Sequence, residues 1–367
     1  MGEERGFLKL GRQGNFCREV NSRRGDFKEV FSIRPEAQSL QQASRCMDCS
    51  TPFCHWGCPL GNYIPEWNDA VFQDNWQQAL TLLEATNYLP EITGRVCPGM
   101  CEYSCVLGLN DDPVTVRENE LAIIEEGFKN KRIKPRRVVE RTGKKIAVIG
   151  SGPAGLSCAA QLNQAGHNVV VFERNSKPGG ILRYGIPDFK LAKQVLDRRI
   201  DIWKQEGVVF KTEVDVGVDY PSGKILENFD AVCLACGSGE PRDLLIEGRE
   251  LKGIHFAMDY LSQANRRLSN EYVRPAELID ASGKQVVIIG GGDSGADCLG
   301  TAHRQGAACV SQIEILPRPP ECRSAHQPWP KYPSLLKVST SHQEGGQRYW
   351  AVSTKGFATC TAALLTK

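Results

Sequence analysis

The sequence has almost no net charge and no long apolar run. Its 45 Lys and Arg residues nearly balance 43 Asp and Glu residues, leaving a net charge of +2, which predicts neither a nucleic-acid partner nor a membrane partner. No stretch approaches the 18 apolar residues that a transmembrane helix needs. Residues 1–13 contain early acids and no apolar core, so we expect no secretory or transit signal. We therefore predict a cytoplasmic protein of two or three domains.

Histidine is scarce, whereas cysteine is abundant. The chain has 6 His and 15 Cys. Seven cysteines fall in two groups: CMDCSTPFCHWGCP at 46–59, with the spacing C-x2-C-x4-C-x3-C-P, and RVCPGMCEYSC at 95–105, with the spacing C-x3-C-x3-C. In a chain without an export signal, clustered cysteines indicate metal or redox chemistry rather than disulfides. The seven are Cys46, Cys49, Cys54, Cys58, Cys97, Cys101 and Cys105.

Three kinds of site compete for these cysteines. Structural zinc takes four ligands, usually as short-spaced pairs, but the second group has no C-x2-C and only His55 lies nearby. Unliganded thiols are the least specific alternative. The first group resembles the bacterial ferredoxin run, in which the fourth cysteine, followed by proline, serves another cluster. We favour iron–sulfur clusters. Two 4Fe–4S clusters need eight ligands, so seven cysteines require one ligand of another type.

The residues between the two cysteine groups have helical spacing. Apolar side chains at helical spacing from 64 to 83 predict one helix that brings the two cysteine groups together. We expect Trp67 and Trp76 of this helix to be core residues rather than cofactor contacts. A further helix is predicted over Val116–Phe128. The basic run at 129–141 is interpreted as a solvated connection between domains.

A dinucleotide-binding pattern follows at residues 144–173. An apolar strand leads into the turn Gly150-x-Gly152-x-x-Gly155, then a small-residue helix, a second strand and Glu173. The glycines allow a tight turn and close approach of a pyrophosphate to a helix N-terminus. An acid about 20 residues beyond the turn can bind a ribose. The sequence therefore predicts a dinucleotide site, and the glycines at 179–180 are candidates for contact with a flat ring.

A second unit of the same kind begins at Lys284. Its strand precedes the turn Gly290-Gly291-Gly292-Asp293-Ser294-Gly295. Two such units predict a flavin and a nicotinamide placed for hydride transfer. Arg318, beyond the next strand, favours the 2′-phosphate of NADPH. Glu314 is the alternative ribose ligand if the strand ends earlier.

Several motifs together resemble one family. GRVCPGMCEYSCVLG, GSGPAGLSCA, PGGILRYGIPDFKL and GGGDSGADC are similar to the small subunit of bacterial glutamate synthase and its fused eukaryotic counterpart. The resemblance implies one 4Fe–4S cluster on Cys46, Cys49, Cys54 and Cys105, and a second on Cys58, Cys97, Cys101 and Glu120. It also implies FAD at Gly150, Gly152, Pro153, Ala154, Gly155, Glu173, Gly180 and Leu182. NADPH or NADH would bind at Gly290, Gly292, Asp293, Ser294 and Gly295, and the ribose rule adds Arg318 to this site.

The resemblance sets the expected fold and function. We expect an α-helical iron–sulfur domain at 1–143, then two Rossmann-type α/β domains at 144–250 and 251–367. The family's late Gly-Asp motif is not found before the unfamiliar tail at 358–367, so we expect the last domain to be incomplete. The implied function is NAD(P)H oxidation for a glutamate synthase large subunit. The alternatives are an iron–sulfur flavoprotein with another acceptor, or an inactive docking protein.

Overall fold

A computed structural model describes residues 2–14, 16–136, 138 and 140–359. Residues 360–367, which form most of the unfamiliar tail, lie outside the described residues. No helix in the described ranges is long and apolar enough to cross a bilayer.

The N-terminal part is helical and contains both cysteine groups. Its apolar core is formed mainly by the helices on either side of those groups, and the longest of them contributes Ile123 and Ile124, both fully buried. The helices are α1 (Gly6–Lys9), α2 (Val20–Arg23), α3 (Glu36–Ala43), α4 (Phe53–Gly57), α5 (Ile64–Phe72), α6 (Trp76–Glu84), α7 (Pro90–Val96), α8 (Met100–Tyr103) and α9 (Val116–Lys129).

The predicted single helix over 64–83 is wrong, because the structure has two helices there. Helix α5 ends at Phe72, and α6 begins at Trp76. Asp74 between them has φ 58°, a left-handed conformation that ends a helix. Asn75 then caps α6 by accepting a hydrogen bond from the Gln78 N–H at 3.2 Å. Apolar periodicity continued across this break, so periodicity alone could not reveal it. Trp67 and Trp76 are buried as predicted.

The first dinucleotide pattern folds as a parallel sheet. Strand β1 lies between β2 and β4 in the order β3-β2-β1-β4, and the β1–β2 register pairs Ile149 with Phe172. The glycine turn and Glu173 therefore meet at one edge of the sheet. The elements are β1 (Lys145–Ile149), α10 (Pro153–Gln164), β2 (Asn168–Phe172), α11 (Ile181–Tyr184), α12 (Lys193–Gln205), β3 (Val209–Lys211), α13 (Ser222–Asn228) and β4 (Ala231–Leu234).

The second pattern folds as a separate parallel sheet of the order β5-β6-β7. Its first strand again runs into a glycine turn and a helix, as predicted. The elements are α14 (Ala257–Leu268), β5 (Gln285–Ile289), α15 (Asp293–Arg304), β6 (Cys309–Glu314), α16 (Thr340–Gln343) and β7 (Gln347–Trp350).

Buried ion pairs join these parts. Arg199 of α12 binds Glu91 of α7 through two hydrogen bonds of 2.6 and 3.0 Å. Near the N-terminus, Arg23 donates to Glu344 at 2.8 Å, and Arg304 contacts the same carboxylate at 2.5 and 3.0 Å. These pairs connect the helical part to both α/β units.

The segment after β6 returns to the cysteine-bearing helices. The centroid of the Trp329 ring lies 4.5 Å from the centroid of the Phe53 ring in α4. Ser104 donates a hydrogen bond to the Pro330 carbonyl at 3.0 Å, and Arg323 donates to the Tyr103 carbonyl at 2.6 Å. The second α/β unit therefore contacts the helices that carry Cys54 and Cys101.

Glu344→Gln is expected to destabilise the protein by about 3–5 kcal/mol, because it leaves two buried arginines without their counter-ion. The Glu344 and Arg304 side chains have no exposed surface, and that of Arg23 is 2% exposed. Denaturant unfolding measures the change. Asp201→Asn is the control: its pair with Lys204 is exposed, so its cost should stay within about 1 kcal/mol. Equal costs for the two variants would show that the buried triad does not stabilise the fold.

Candidate functional site

Four cysteines line one pocket in the helical part. Cys46 and Cys49 lie in the loop after α3, Cys54 in α4, and Cys105 just after α8. Asp48 has φ 49°, which turns the chain between the first two cysteines. The pocket is otherwise lined mainly by apolar side chains, including Phe53 and Val116. The structure thus brings together the four cysteines that the resemblance assigns to one cluster.

The other three cysteines are near a buried carboxyl group. The Cys101 thiol is close enough to Glu120, Cys58 and Cys97 for their charges to raise its pKa, in addition to the larger effect of burial. Glu120 projects from α9 and is 5% exposed. Its Oε1 accepts hydrogen bonds from the Asn87 amide, at 3.2 Å, and from the Thr93 hydroxyl. Cys58, Cys97, Cys101 and Glu120 therefore lie in the same region of the helical part, and Asn87 and Thr93 hold the Glu120 carboxyl group in place.

Burial favours the protonated form of thiol and carboxyl groups in both donor sets. It raises the pKa of the Cys46 thiol to about 12, and it also raises the pKa of Cys54. The same cause raises the pKa of Glu120 to about 7. Burial in a medium of low dielectric constant disfavours the charged form of these groups. They therefore lose their protons and act as ligands only when a bound metal supplies positive charge.

The types of donor in the two sets indicate which metal centre they fit. In the described ranges, no three His, Cys, Asp or Glu side chains converge closely enough to hold a single metal ion. Two sets of four donors that are dominated by cysteine fit iron–sulfur clusters.

The first glycine turn is closely packed at three glycines and leaves open space for a ligand at a fourth, Gly152. Gly150 has φ 101°, and a Cβ there would lie 2.3 Å from the Ala235 carbonyl oxygen. A Cβ on Gly155 would lie 2.0 Å from the Gly150 oxygen, and one on Gly180 would lie 2.7 Å from the Gly152 Cα. By contrast, a Cβ on Gly152 would meet nothing within 4 Å. The turn is closely packed against protein and open at Gly152, at the N-terminus of α10.

Three other predicted flavin contacts differ in exposure. Pro153 and Ala154 form the exposed first turn of α10 beside the open space. The Leu182 side chain is 4% exposed and belongs to the apolar core of the first sheet. Leu182 can therefore approach a ligand at this turn only through its backbone, because its side chain is directed into the core.

Glu173 already has four hydrogen bonds from protein donors. One oxygen accepts from the backbone and the hydroxyl of Ser151, and the other accepts from the Asn175 backbone at 2.8 Å and its amide at 2.6 Å. A carboxylate offers about four acceptor positions. A ribose hydroxyl would therefore have to replace one of these donors.

The second turn resembles the first at its second and third glycines, but it is also open at its first glycine. Gly290 has φ 118°, and a Cβ on either Gly290 or Gly292 would meet nothing within 4 Å. Gly295 is packed against the Gly290 oxygen, which a Cβ would approach to 2.4 Å. Asp293 and Ser294 are exposed at the start of α15. The predicted residues of this turn therefore surround an open helix N-terminus.

The strand after the second turn ends at Glu314 rather than near Arg318. The Glu314 carboxylate accepts hydrogen bonds from the Gly291 N–H at 2.7 Å and the Leu316 N–H at 2.9 Å. Arg318 lies four residues further on, exposed, and pairs with Glu321 at 2.7 Å. Sequence reasoning missed Arg348 and Trp350, which lie next to Arg318 in space, because no local signal marks them.

Two family models match the chain. The model for dihydropyrimidine dehydrogenase domain II, 4Fe-4S cluster, covers residues 23–132, and that for pyridine nucleotide-disulphide oxidoreductase covers residues 144–329. The architecture is thus an iron–sulfur domain followed by a pyridine nucleotide oxidoreductase domain.

Curated relatives indicate which family of oxidoreductases the chain resembles. The chain is 51% identical over 361 residues to "Glutamate synthase [NADPH] small chain" of Mycobacterium tuberculosis, covering 97% of this chain and 74% of that protein. The Bacillus subtilis protein of the same name is 46% identical, over 95% of this chain and 73% of that one. "Glutamate synthase [NADH]" of Schizosaccharomyces pombe is 46% identical over 96% of this chain and 17% of its own length.

The chain belongs to the glutamate synthase small-chain family. The predicted family is thereby confirmed, as is the prediction of an NAD(P)H-dependent oxidoreductase that uses FAD and 4Fe–4S chemistry.

Proposed function

We propose that this chain oxidises NAD(P)H through FAD and passes electrons, by way of two 4Fe–4S clusters, to a glutamate synthase large subunit. That partner would make glutamate from glutamine and 2-oxoglutarate. The observation that supports the proposal is the pocket lined by Cys46, Cys49, Cys54 and Cys105, in a chain 51% identical to a glutamate synthase small chain.

Each donor set has a defined role in the proposal. Cys46, Cys49, Cys54 and Cys105 hold one cluster, and Cys58, Cys97, Cys101 and Glu120 hold the other. Asn87 and Thr93 keep the Glu120 carboxyl group in position through their hydrogen bonds. The apolar side chains around the first set exclude water. Solvent exposure and net charge both affect the reduction potential of a cluster.

The chain's two glycine turns bind the dinucleotides. FAD, when bound, supplies the conversion between two-electron and one-electron transfer. The N-terminus of α10 binds its pyrophosphate through unpaired N–H groups, with Gly152 leaving the space. Gly290, Gly292 and Gly295 give the N-terminus of α15 the same role toward the nicotinamide dinucleotide. No general acid or base is needed, because the residues act by binding and orienting.

The organisation of the chain follows from the same proposal. We place an iron–sulfur domain at 1–143, a FAD domain at 144–250 and an NAD(P)H domain at 251–367. The match to 17% of the longer Schizosaccharomyces pombe chain supports a partner that supplies the remaining parts. Clustered cysteines that serve as metal ligands rather than as disulfides are typical of reducing compartments, so we place the protein in the cytoplasm.

A second candidate is an iron–sulfur flavoprotein with a different electron acceptor. The match of residues 23–132 to a dihydropyrimidine dehydrogenase domain favours it, because that domain is not confined to glutamate synthases.

Reconstitution with a glutamate synthase large subunit separates the two candidates. The proposal predicts that adding the chain gives NAD(P)H-dependent glutamate formation from glutamine and 2-oxoglutarate, while the chain alone reduces only an artificial dye. Dye reduction without glutamate formation in the mixture would favour the second candidate. The control is the large subunit with NAD(P)H but without this chain.

A further inference from the structure

One amide side chain lies in the pocket that contains the four cysteines of the first donor set. Helix α5 presents Ile64, Pro65 and Asn68 to this pocket. Asn68 is fully buried, with no exposed surface. The other described side chains that line the pocket, apart from the cysteines, are apolar. An amide in such surroundings is costly unless its oxygen and its nitrogen both form hydrogen bonds.

The oxygen of the Asn68 amide already has a partner. The Asn68 Oδ1 accepts a hydrogen bond from the Asn119 Nδ2 at 2.7 Å. The Asn119 Oδ1 in turn accepts from the Arg34 guanidinium and, at 3.3 Å, from the Thr115 hydroxyl. Because arginine can only donate, it holds the Asn119 oxygen on its own side and turns the Asn119 nitrogen toward Asn68. The Asn68 oxygen must then face Asn119, and the Asn68 nitrogen points away from it.

The nitrogen of the same amide has no partner. In the described part of the chain, the Asn68 Nδ2 is buried and forms no hydrogen bond. Leaving a buried donor unpaired costs about 1–3 kcal/mol. A buried water would need about two to four polar partners of its own, which an apolar lining does not supply. Sulfur atoms are the only other side-chain acceptors among the described residues of this pocket.

Arg34 places a positive charge at the other end of this chain of hydrogen bonds. Burial lowers the pKa of Arg34 to about 10, so the side chain stays charged at neutral pH. Glu118 lies 3.5 Å from it and neutralises the charge in part. A charge at one end of a hydrogen-bonded chain polarises each member in turn. The N–H groups of Asn68 are therefore stronger donors than those of an isolated amide.

We propose that Asn68 donates a hydrogen bond to a sulfur atom of the cluster in this pocket and thereby raises the reduction potential of that cluster. The inference rests on the proposed function and deepens it, because it names a residue that sets the potential of one of the two clusters. Reduction makes a cluster more negative, and a hydrogen bond to sulfur stabilises the more negative state. The cluster concerned is the one proposed for Cys46, Cys49, Cys54 and Cys105.

Asn68→Leu is expected to make reduction of this cluster less favourable by roughly tenfold, which is about 59 mV for a one-electron couple. Leucine is similar in size to asparagine but has no N–H donor. EPR spectra of the anaerobic full chain, held at a series of potentials, measure the midpoint potential of each cluster. The midpoint potential of the other cluster should not change.

Asn163→Leu is the matched control. Asn163 is also fully buried, accepts a hydrogen bond from Arg141 at 2.8 Å and donates one to the Glu206 carbonyl at 3.3 Å. It belongs to α10 in the first α/β unit and does not line the cysteine pocket. Its replacement removes a buried amide in the same way, but it should leave both midpoint potentials unchanged.

A second measurement needs no variant. Wild-type protein is prepared with asparagine whose side-chain amide carries the heavy nitrogen isotope, and the cluster is reduced. Pulsed EPR should then show a hyperfine coupling between the reduced cluster and that nitrogen, because Asn68 is the one asparagine among the described residues that line the pocket.

The outcomes separate this inference from the proposed function. Unchanged midpoint potentials in Asn68→Leu protein with its full iron content would overturn the inference and leave the proposed function in place. Equal shifts in Asn163→Leu would do the same. Wild-type clusters without the nitrogen coupling would also overturn it, and this measurement decides the matter if Asn68→Leu loses its iron. Wild-type protein without clusters would contradict the proposed function, and the inference would fail with it.

Discussion

Cys54→Ser is expected to remove one cluster and to halve the iron content, from about eight atoms per chain to about four. Cys54 shares a pocket with Cys46, Cys49 and Cys105, so its loss leaves three ligands for that cluster. Cys101→Ser should remove the other cluster, because Cys101 lies with Cys58, Cys97 and Glu120. Iron and sulfide analysis of anaerobically purified protein measures both changes.

Double variants test the division into two donor sets. Cys54→Ser with Cys105→Ser removes two ligands of one cluster, so it should lose no more iron than Cys54→Ser alone. Cys54→Ser with Cys101→Ser should lose nearly all of the iron. Cys309→Ser, which changes an exposed thiol at the start of β6, should lose none. Complete iron loss in the Cys54 and Cys105 double variant would contradict the division.

Gly152→Ala is expected to weaken FAD binding by roughly tenfold to a hundredfold while leaving the iron content and the thermal stability unchanged. The backbone at Gly152 has φ −67°, which alanine adopts freely, and its Cβ would meet no protein atom within 4 Å. The methyl group would instead occupy the space of the pyrophosphate, and overpacking of this kind costs about 1–3 kcal/mol. Titration of the flavin-depleted protein with FAD measures the affinity.

Two other glycines serve as comparisons. Gly223 in α13 is exposed and also has nothing within 4 Å of its Cβ position, so Gly223→Ala should bind FAD normally. Gly155→Ala should instead lower the stability of the protein, because its Cβ would lie 2.0 Å from the Gly150 oxygen. Normal FAD affinity in Gly152→Ala would show that the pyrophosphate does not approach this residue.

Local patterns in the sequence were sufficient for much of the fold. Apolar runs and glycine turns predicted two strands, each followed by a glycine turn and a helix, and the structure has these strands at Lys145–Ile149 and Gln285–Ile289. Such elements depend on contacts between near neighbours in the chain. The division of the cysteines came from the family resemblance, because spacing alone gave seven ligands without showing how they separate.

Contacts between distant segments were not predictable in the same way. Arg348 becomes a neighbour of Arg318 only because β7 pairs with β6 after an intervening segment of about thirty residues that returns to the cysteine-bearing helices. The hydrogen bond from the Ser151 hydroxyl to Glu173 likewise joins residues that are 22 positions apart in the chain. The break at Asp74 was missed because apolar residues recur at helical spacing on both sides of it.

An anaerobic visible spectrum of the purified chain, with iron and flavin assays before and after adding NADPH, tests most directly whether the chain carries both a reducible flavin and its clusters. We expect about eight irons and one flavin per chain, with the flavin absorbance bleached by NADPH. Iron without a flavin that NADPH can reduce would contradict it, because the chain would then carry clusters without the means to deliver electrons to them.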